Sequence, residues 1–195
     1  MVVGVTGGIG SGKSVIANEL RMMGYPVYDS DSQAKRIIQE NLEVREKIVQ
    51  LLGATAFENG VYQTAVVAKK VFSDPNLLLQ LNAIVHPAVR EDFILWCSAQ
   101  SSTIKFVECA IICTAGIDAL CDRVVLVLAS DEIRIQRVMK RDNCTAEKVM
   151  ARIHAQADEY SSLTDAIIIQ NDGVTPPPEL CKYVIGVLES LSRIS

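Results

Sequence analysis

The chain has 195 residues, a length typical of one domain with room for small insertions. Hydrophobic residues make up 49% of it and charged residues 22%, which predicts a sizeable buried core and excludes global disorder. The net charge of −4 disfavours a broad surface for nucleic acid or anionic membranes, but it is compatible with a local basic pocket for phosphates. We therefore expect neither nucleic acid nor membrane as a partner.

The N-terminus runs directly from Met1 into the strand-like segment VVGVT, and no basic segment or cleavage site precedes it. No apolar run reaches the roughly 18 residues that a spanning helix needs. These features predict a cytoplasmic protein. The cysteines form no C-x-x-C pair, which favours reduced thiols that pack as small apolar side chains.

Strands and helices alternate along most of the chain. Strands are predicted at Val2–Thr6, Pro26–Tyr28, Ile104–Cys109, Arg123–Ala129 and Ala166–Ile169. Helices are predicted at Lys13–Met23, Ser32–Glu40, Leu42–Leu52, Ala65–Phe72, Pro75–Val85, Pro87–Ala99, from Ser130 or Asp131 to about Arg141, from Thr145 onward, and at Glu179–Ser192. This alternation predicts an α/β fold with a doubly wound, five-stranded parallel sheet.

The segment from Gly7 to Ser14 fits the pattern G-x-x-x-x-G-K-[ST], with a predicted strand before it and a helix after it. Its glycines let the backbone wrap closely, so that successive N–H groups point at phosphate oxygens. Lys13 is expected to reach the β- and γ-phosphates of ATP, and the Ser14 hydroxyl to bind Mg²⁺. The candidates for nucleotide contacts here are Gly8, Ile9, Gly10, Ser11, Gly12, Lys13, Ser14 and Val15.

Two carboxylates follow the second predicted strand, in Asp29-Ser30-Asp31. The carboxyl ends of strands face the ligand crevice in such sheets, so these groups are candidates for binding the acceptor hydroxyl and for supporting Mg²⁺. The alternative is that one of them only caps the helix Ser32–Glu40.

Basic residues cluster after the fourth strand, at Arg134, Arg137, Lys140 and Arg141. Spacings of three and four bring several of them to one side of a helix, where they are candidates for a lid that closes over the triphosphate. The alternative for each one is a solvated helix face. Arg141, next to Asp142, is the favoured member.

Five segments resemble those of the dephospho-coenzyme A kinases in order and spacing: GVTGGIGSGKS, VYDSD, LNAIVHPAVR, RVMKRD with Gln156 downstream, and DAIIIQNDG. The resemblance covers nearly the whole chain. It implies transfer of the ATP γ-phosphate to the ribose 3′-hydroxyl of dephospho-coenzyme A, the last step of coenzyme A synthesis. It also implies ATP and Mg²⁺ as cofactors, a small-molecule partner, and a monomer or weak homo-oligomer.

The resemblance also implies roles for individual residues. Asp31 would be the base or the group that orients the hydroxyl, with Asp29 in support of it or of the metal. Arg141 would belong to the lid. Asn171 and Gly173 would lie near the adenine, and His86 and Pro87 would belong to the helical substrate-binding part.

Departures from the family pattern at three positions, Thr64, Ala110 and Thr114, concern the acceptor side. Thr64 stands where an Arg is usual, and the usual Pro-Leu-Leu-Phe-Glu reads Ala110-Ile-Ile-Cys-Thr114. Glu108 is therefore a candidate to supply a carboxylate. Two alternatives stay open. One is another P-loop kinase that acts on a nucleoside, a nucleoside monophosphate or a small hydroxy acid. The other, motivated by Thr64 and Thr114, is a nucleotide-binding regulator that has lost catalysis.

The predicted organisation is a single P-loop kinase domain over 1–195. Its parts are a core at about 1–31, 101–130 and 160–195, a helical acceptor-binding insertion at about 32–100, and a lid at about 131–159.

Overall fold

The computed structural model describes residues 1–193, and the chain divides into two compact units. One unit consists of Met1–Tyr28 and the chain from Gln100 onward, and the other is Asp29–Ala99. Residues 194 and 195, the end of the predicted core range 160–195, lie outside the described residues.

Strands and helices are numbered in chain order. The strands are β1 (Val2–Thr6), β2 (Val27–Asp29), β3 (Phe57–Glu58), β4 (Val61–Tyr62), β5 (Lys105–Glu108), β6 (Arg123–Leu128) and β7 (Ile167–Gln170). The helices are α1 (Lys13–Met22), α2 (Ser30–Glu40), α3 (Leu42–Leu52), α4 (Thr64–Phe72), α5 (Pro75–Ala99), α6 (Asp131–Asp142), α7 (Ala146–Ala155) and α8 (Pro177–Ser192).

The main sheet has five strands in the order β2-β5-β1-β6-β7. The register of the parallel pairs places Val5 of β1 beside Glu108 on one side and beside Val125 on the other. Because these strands run in the same direction, the segments that follow β1, β5 and β6 all leave from one edge of the sheet. The predicted α/β fold with a five-stranded parallel sheet is confirmed.

The core of the first unit lies between this sheet and the helices α1 and α8. Its strands are short runs of Val, Ile and Phe, as expected where a strand is buried on both faces. Each such side chain contributes about 1.5–3 kcal/mol when it is fully buried. The members from the strands are Val3, Val5, Phe106, Val125, Val127 and Ile169, and those from the two helices are Ile16, Leu20, Leu180, Cys181, Val184, Ile185 and Leu188.

The helices α6 and α7 share a small core of their own. Val138, Val149 and Ile153 are buried in it. The partly buried side chains packed against it include Met150 of α7 and Ile9 of the loop after β1.

The second unit contains one long helix where the sequence predicts two. Pro87 does not start a new helix but lies inside α5, which runs from Pro75 to Ala99. Buried residues recur every four positions on both sides of Pro87, at Leu81, Val85, Val89 and Phe93. One continuous apolar face therefore outweighs the hydrogen bond that the proline removes.

The sequence predicts a purely helical stretch from 32 to 100. This prediction is wrong, because the stretch also contains two short strands. The strands β3 and β4 form an antiparallel hairpin with Phe57 opposite Tyr62. Its turn residues Asn59 and Gly60 have φ angles of 49° and 81°. Asn-Gly between two short strands favours such a turn, because both positions need a positive φ. No helix within residues 1–193 combines the length and the apolar character required to cross a membrane.

Candidate active site

The loop between β1 and α1 has the geometry of a phosphate cradle. Gly10 and Gly12 adopt positive φ angles of 78° and 91°, which a residue with a side chain rarely adopts. Gly12 is the residue before the first turn of α1, and no acidic residue occupies that turn. The N-terminus of α1, with its partial positive charge, is therefore open to an anion, and Lys13 stands at its first position.

The outward-facing carbonyls of this loop are held by side chains from α6. Arg134 donates from Nε to the carbonyl oxygen of Ile9 at 2.9 Å. Arg137 donates from Nη1 to the carbonyl oxygens of Gly10 at 3.4 Å and Ser11 at 3.3 Å. These hydrogen bonds fix the carbonyl groups of Ile9, Gly10 and Ser11 against α6.

Asn171, which follows β7, is buried beneath the same loop. Its side-chain Nδ2 donates to the carbonyl oxygen of Ser11 at 2.8 Å. A Cβ added to Gly173 would come within 3.9 Å of the Arg137 guanidinium. The structure thus brings Asn171 and Gly173 to the phosphate loop and Arg137, whereas the adenine contact expected of the first two stays a prediction.

Ser14 and Glu108 form the pair best suited to a divalent cation. The Ser14 Oγ donates to Oε1 of Glu108 at 2.5 Å, and Glu108 is 7% exposed. Both side chains offer oxygen, the ligand type that Mg²⁺ prefers. No group of three or more His, Cys, Asp or Glu side chains within residues 1–193 forms a metal cluster, so a Mg²⁺ here would take its other ligands from nucleotide and water.

The sequence predicts Glu108 on the acceptor side of the site. In the structure its hydrogen-bond partner is Ser14, the residue predicted to bind Mg²⁺. The parallel register explains this position, because it places Glu108 beside Val5, two residues before the loop begins.

Asp29 and Asp31 have different surroundings in the second unit. Both carboxylate oxygens of Asp29 accept hydrogen bonds from Ser32, one from its N–H at 3.1 Å and one from its hydroxyl at 2.8 Å. Asp29 is thus the N-cap of α2, as the alternative interpretation predicted. Asp31 lies in the first turn of that helix, and its side chain is exposed.

His86 and Pro87 lie side by side in the middle of α5, and both are half-buried. They belong to the same unit as Asp29 and Asp31. The other predicted site residues belong to the first unit. They are the loop residues Gly8–Val15 together with Glu108, Arg141, Asn171 and Gly173.

Arg141 does not contact the phosphate loop. It lies in the last turn of α6 and pairs with Asp142 at 2.7 Å. Arg152 of α7 pairs with the same carboxylate at 3.0 Å. The hydrogen bonds from Arg141 and then Arg152 lower the pKa of Asp142 to about 2. Arg134 and Arg137, weighed equally with a solvated face in the sequence analysis, are the α6 arginines that reach the loop.

The segment Ala110–Thr114, which lacks the acidic residue usual in the family, contacts the carboxylate of Glu159 instead. Oε1 of Glu159 accepts from the N–H groups of Cys113 at 2.8 Å and Thr114 at 3.2 Å. Its Oε2 accepts from the Thr114 hydroxyl at 2.5 Å. The adjacent Tyr160 donates its hydroxyl to the carbonyl oxygen of Ala110 at 2.8 Å, and burial raises its pKa. Sequence reasoning missed Glu159, since nothing local marks a partner 45 residues away.

A cavity of about 310 Å³ lies beside the phosphate loop. Its polar lining consists mainly of Ser11, Arg134, His154, Gln156 and Tyr160. A larger cavity of about 530 Å³ lies at the amino ends of β6 and β7, away from the loop. We assign the site to the loop because the anion cradle and the Ser14–Glu108 pair are there.

Comparisons with known proteins agree with this geometry. The family model for dephospho-CoA kinase (CoaE) matches residues 1–176. The dephospho-CoA kinase of Porphyromonas gingivalis is 39% identical over 191 residues, which cover 98% of this chain and 94% of that protein. The enzyme of Chlorobaculum tepidum is 34% identical over 203 residues, covering 100% of this chain and 96% of that one.

Solved structures show the same fold. The crystal structure of TT1252 from Thermus thermophilus superposes with a TM-score of 0.82 at 33% identity, covering 98% of this chain and 97% of that one. Shikimate kinase from Acinetobacter baumannii shares only the fold, with a TM-score of 0.56, 12% identity, and coverage of 97% and 93%. Family match, relatives and phosphate loop agree, and this chain belongs to the dephospho-CoA kinase family, the kinases of the final step of coenzyme A biosynthesis.

Proposed function

We propose that this protein transfers the γ-phosphoryl group of ATP to the ribose 3′-hydroxyl of dephospho-coenzyme A, with Mg²⁺ bound at Ser14. The observation that carries the proposal is the glycine-rich loop at the N-terminus of α1, with Lys13 at the first helical position and Ser14 paired to Glu108. The chain's membership in the dephospho-CoA kinase family supports the choice of dephospho-coenzyme A as the acceptor.

The proposed reaction is an in-line displacement at phosphorus. The 3′-oxygen of the acceptor forms the new bond to the γ-phosphorus, and the bridging oxygen of the β-phosphate leaves with the electron pair as ADP. We assign the hydroxyl proton to Asp31, which has an exposed carboxylate. Lys13 would neutralise charge on the β- and γ-phosphates, and fixing both reactants in place would lower the entropic part of the barrier.

The metal part of the proposal rests on oxygen donors. Ser14 would bind Mg²⁺ directly, and Glu108 would hold a water of its coordination shell, because Mg²⁺ usually retains several waters. When bound, the ion would offset negative charge on the phosphate oxygens. Asp29 remains a weaker candidate for this support, since Ser32 occupies both of its oxygens.

We assign different roles to different parts of the chain. We propose that Asp29–Ala99, with His86 and Pro87 in α5, binds the acceptor, and that α6 and α7 with Arg141 form the lid. Asn171 and Gly173 are proposed beside the adenine. A cytoplasmic monomer or weak homo-oligomer completes the proposal.

The test is an ADP-release assay with ATP and Mg²⁺. Dephospho-coenzyme A is compared with adenosine, AMP and shikimate as acceptors, and the product is identified by mass. We expect ADP release with dephospho-coenzyme A alone and coenzyme A as the product. Lys13→Ala is the background control, and we expect it to lower turnover at least about a hundredfold.

Two results would contradict the proposal in different ways. Equal release with another acceptor would leave a P-loop kinase but refute the assigned substrate. Tight ATP binding without turnover on any acceptor would favour the nucleotide-binding regulator and would direct attention to Thr64 and Thr114.

A further inference from the structure

Ile9 is held by the α6–α7 pair through every group it has. Its carbonyl oxygen accepts from Nε of Arg134 at 2.9 Å. Its N–H donates to Oε1 of Gln156 at 2.8 Å. Its side chain packs against the small core of Val138, Val149 and Ile153. Three separate contacts thus join one residue of the phosphate loop to one pair of helices.

The partners of Ile9 are themselves firmly placed. Gln156 is the residue after α7, and its backbone N–H donates to the carbonyl oxygens of Ile153 and His154. Arg134 is anchored by an ion pair with Asp131 at 3.0 Å, and its side chain is only 15% exposed. The backbone of Gln156 and the side chain of Arg134 are thus each held by further contacts within α6 and α7.

The loop needs such support because its own backbone offers little. Gly8 and Gly10 flank Ile9, and glycine is the residue with the greatest conformational freedom. A Cβ on Gly8 would collide with the Arg134 guanidinium, and one on Gly10 would approach the Arg134 backbone and the Val138 side chain. The glycines that let the loop wrap round phosphate are thus the same ones that admit α6 this closely.

We propose that Ile9, Gln156 and Arg134 are positioning residues that fasten the phosphate loop to α6 and α7, so that the phosphate-binding shape of the loop depends on that helix pair. The inference rests on the proposed role of the loop in binding ATP. By linkage, a nucleotide that selects the ordered loop must also stabilise the helix pair, and by the same free energy.

The test measures ADP·Mg²⁺ affinity by calorimetry in three variants. Ile9→Ala removes the packing of the side chain and leaves the backbone in place. Gln156→Met removes the acceptor oxygen at nearly equal volume. Met150→Ala is the matched control, because it trims another side chain packed against the same small core and leaves both hydrogen-bond partners of Ile9 in the chain.

We expect Ile9→Ala and Gln156→Met each to raise the Kd for ADP about tenfold, or about 1.4 kcal/mol. Met150→Ala should stay within about twofold of the unchanged protein. In steady-state assays the KM for ATP should rise, while the KM for dephospho-coenzyme A stays the same. A purely structural role would lower the melting temperature and leave these constants unchanged.

Hydrogen exchange supplies a second readout. ADP should slow amide exchange in α7 of the unchanged protein, and this protection should be lost in Ile9→Ala. Protection by direct nucleotide contact with α7 would survive that substitution.

The inference is overturned if Ile9→Ala and Gln156→Met bind ADP normally, or if Met150→Ala raises the Kd as much as Ile9→Ala does. Failure of the unchanged protein to bind ADP would instead refute the proposed function.

Discussion

Glu108 shows how a single residue acquires its place from its neighbours in the sheet. Its position at the end of β5 and the parallel pairing with β1 bring its carboxylate to the Ser14 hydroxyl. A carboxylate that is 7% exposed needs a donor or a cation nearby, because burial of an uncompensated charge is costly. The Ser14 hydroxyl is such a donor, and because Ser14 is the proposed Mg²⁺ ligand, we assign Glu108 to the metal site.

Replacement of Glu108 by Gln should weaken the response to Mg²⁺. The amide keeps the size and an acceptor oxygen but loses the charge, so we expect the Mg²⁺ concentration for half-maximal activity to rise about tenfold, equivalent to roughly 1.4 kcal/mol. Activity is measured over a Mg²⁺ titration at fixed ATP. Glu189→Gln, an exposed site on α8, is the control. An unchanged titration curve would remove Glu108 from the metal site.

Asp31 is the residue to which we assign the acceptor hydroxyl. Asp31→Asn should lower kcat at least about a hundredfold, or about 2.7 kcal/mol, because an amide cannot take the proton. Stopped assays with dephospho-coenzyme A measure this loss. Asp29→Asn is the informative comparison, since Asn is as good an N-cap as Asp. Near-normal kcat in Asp31→Asn would refute the assignment, and a large loss in Asp29→Asn would move it to Asp29.

At the scale of elements, α6 and α7 are joined at one end by Asp142. Its carboxylate receives Arg141 from its own helix and Arg152 from the next one. The pairs are exposed, so each contributes little alone, and their combined effect is to fix the turn between the helices.

This junction predicts a loss of stability in acid. The pKa of Asp142 is lowered from 3.8 to about 2, so its contribution is fully present above about pH 4 and is lost as the pH falls through about 2. We expect Asp142→Asn to melt at a lower temperature than the unchanged protein at pH 7 and at the same temperature near pH 2. Thermal unfolding over this pH range measures the difference. If the difference in melting temperature persisted at pH 2, the ionised carboxylate of Asp142 would not be its cause.

The long helix α5 illustrates where local rules are overruled. Pro87 predicts a helix start on its own, because it lacks an N–H group. The apolar residues Leu81, Val85, Val89 and Phe93 lie on one face on both sides of it, and their burial keeps the helix continuous. The missed hairpin is different, since Asn59-Gly60 is a local signal that could have been recognised.

At the scale of the whole molecule, each of the two units has its own set of buried residues. In the first unit, α1 begins at the phosphate loop and packs with α8 in the main core. Cys181 of α8 lies in that core, with its Sγ 3.7 Å from the carbonyl oxygen of Ile16. Burial raises the pKa of Cys181 to about 12, so the native thiol is almost never ionised at neutral pH.

Labelling of Cys181 should therefore report opening of the first unit. Because the native thiol is buried and protonated, a thiol reagent must wait for α8 to leave the core. ADP at about 100 times its Kd should slow this labelling about a hundredfold, since it stabilises the closed form by about 2.7 kcal/mol. Mass spectrometry of the labelled peptide measures the rate. Equal rates with and without ADP would show that nucleotide binding and the α1–α8 core are not coupled.

The sequence by itself determined the features that depend on nearby residues. The loop Gly7–Ser14 was predicted from its spacing, and the alternation of strands and helices predicted the parallel sheet, which is confirmed. Family membership was also predicted from short motifs in order and is confirmed by the family model over residues 1–176. Such features survive as linear patterns because glycine conformation, capping and periodicity are set within a few residues.

The tertiary structure alone decided which distant side chains support the loop. Ile9 meets Arg134 and Gln156 across 125 and 147 residues of chain, and Asn171 meets Ser11 across 160. Glu159 reaches Thr114 in the same way. A hydrogen bond needs only two atoms at the right distance, so it leaves no spacing to recognise in the sequence. Packing of the whole first unit selects these partners, and for this reason they were found only in the folded chain.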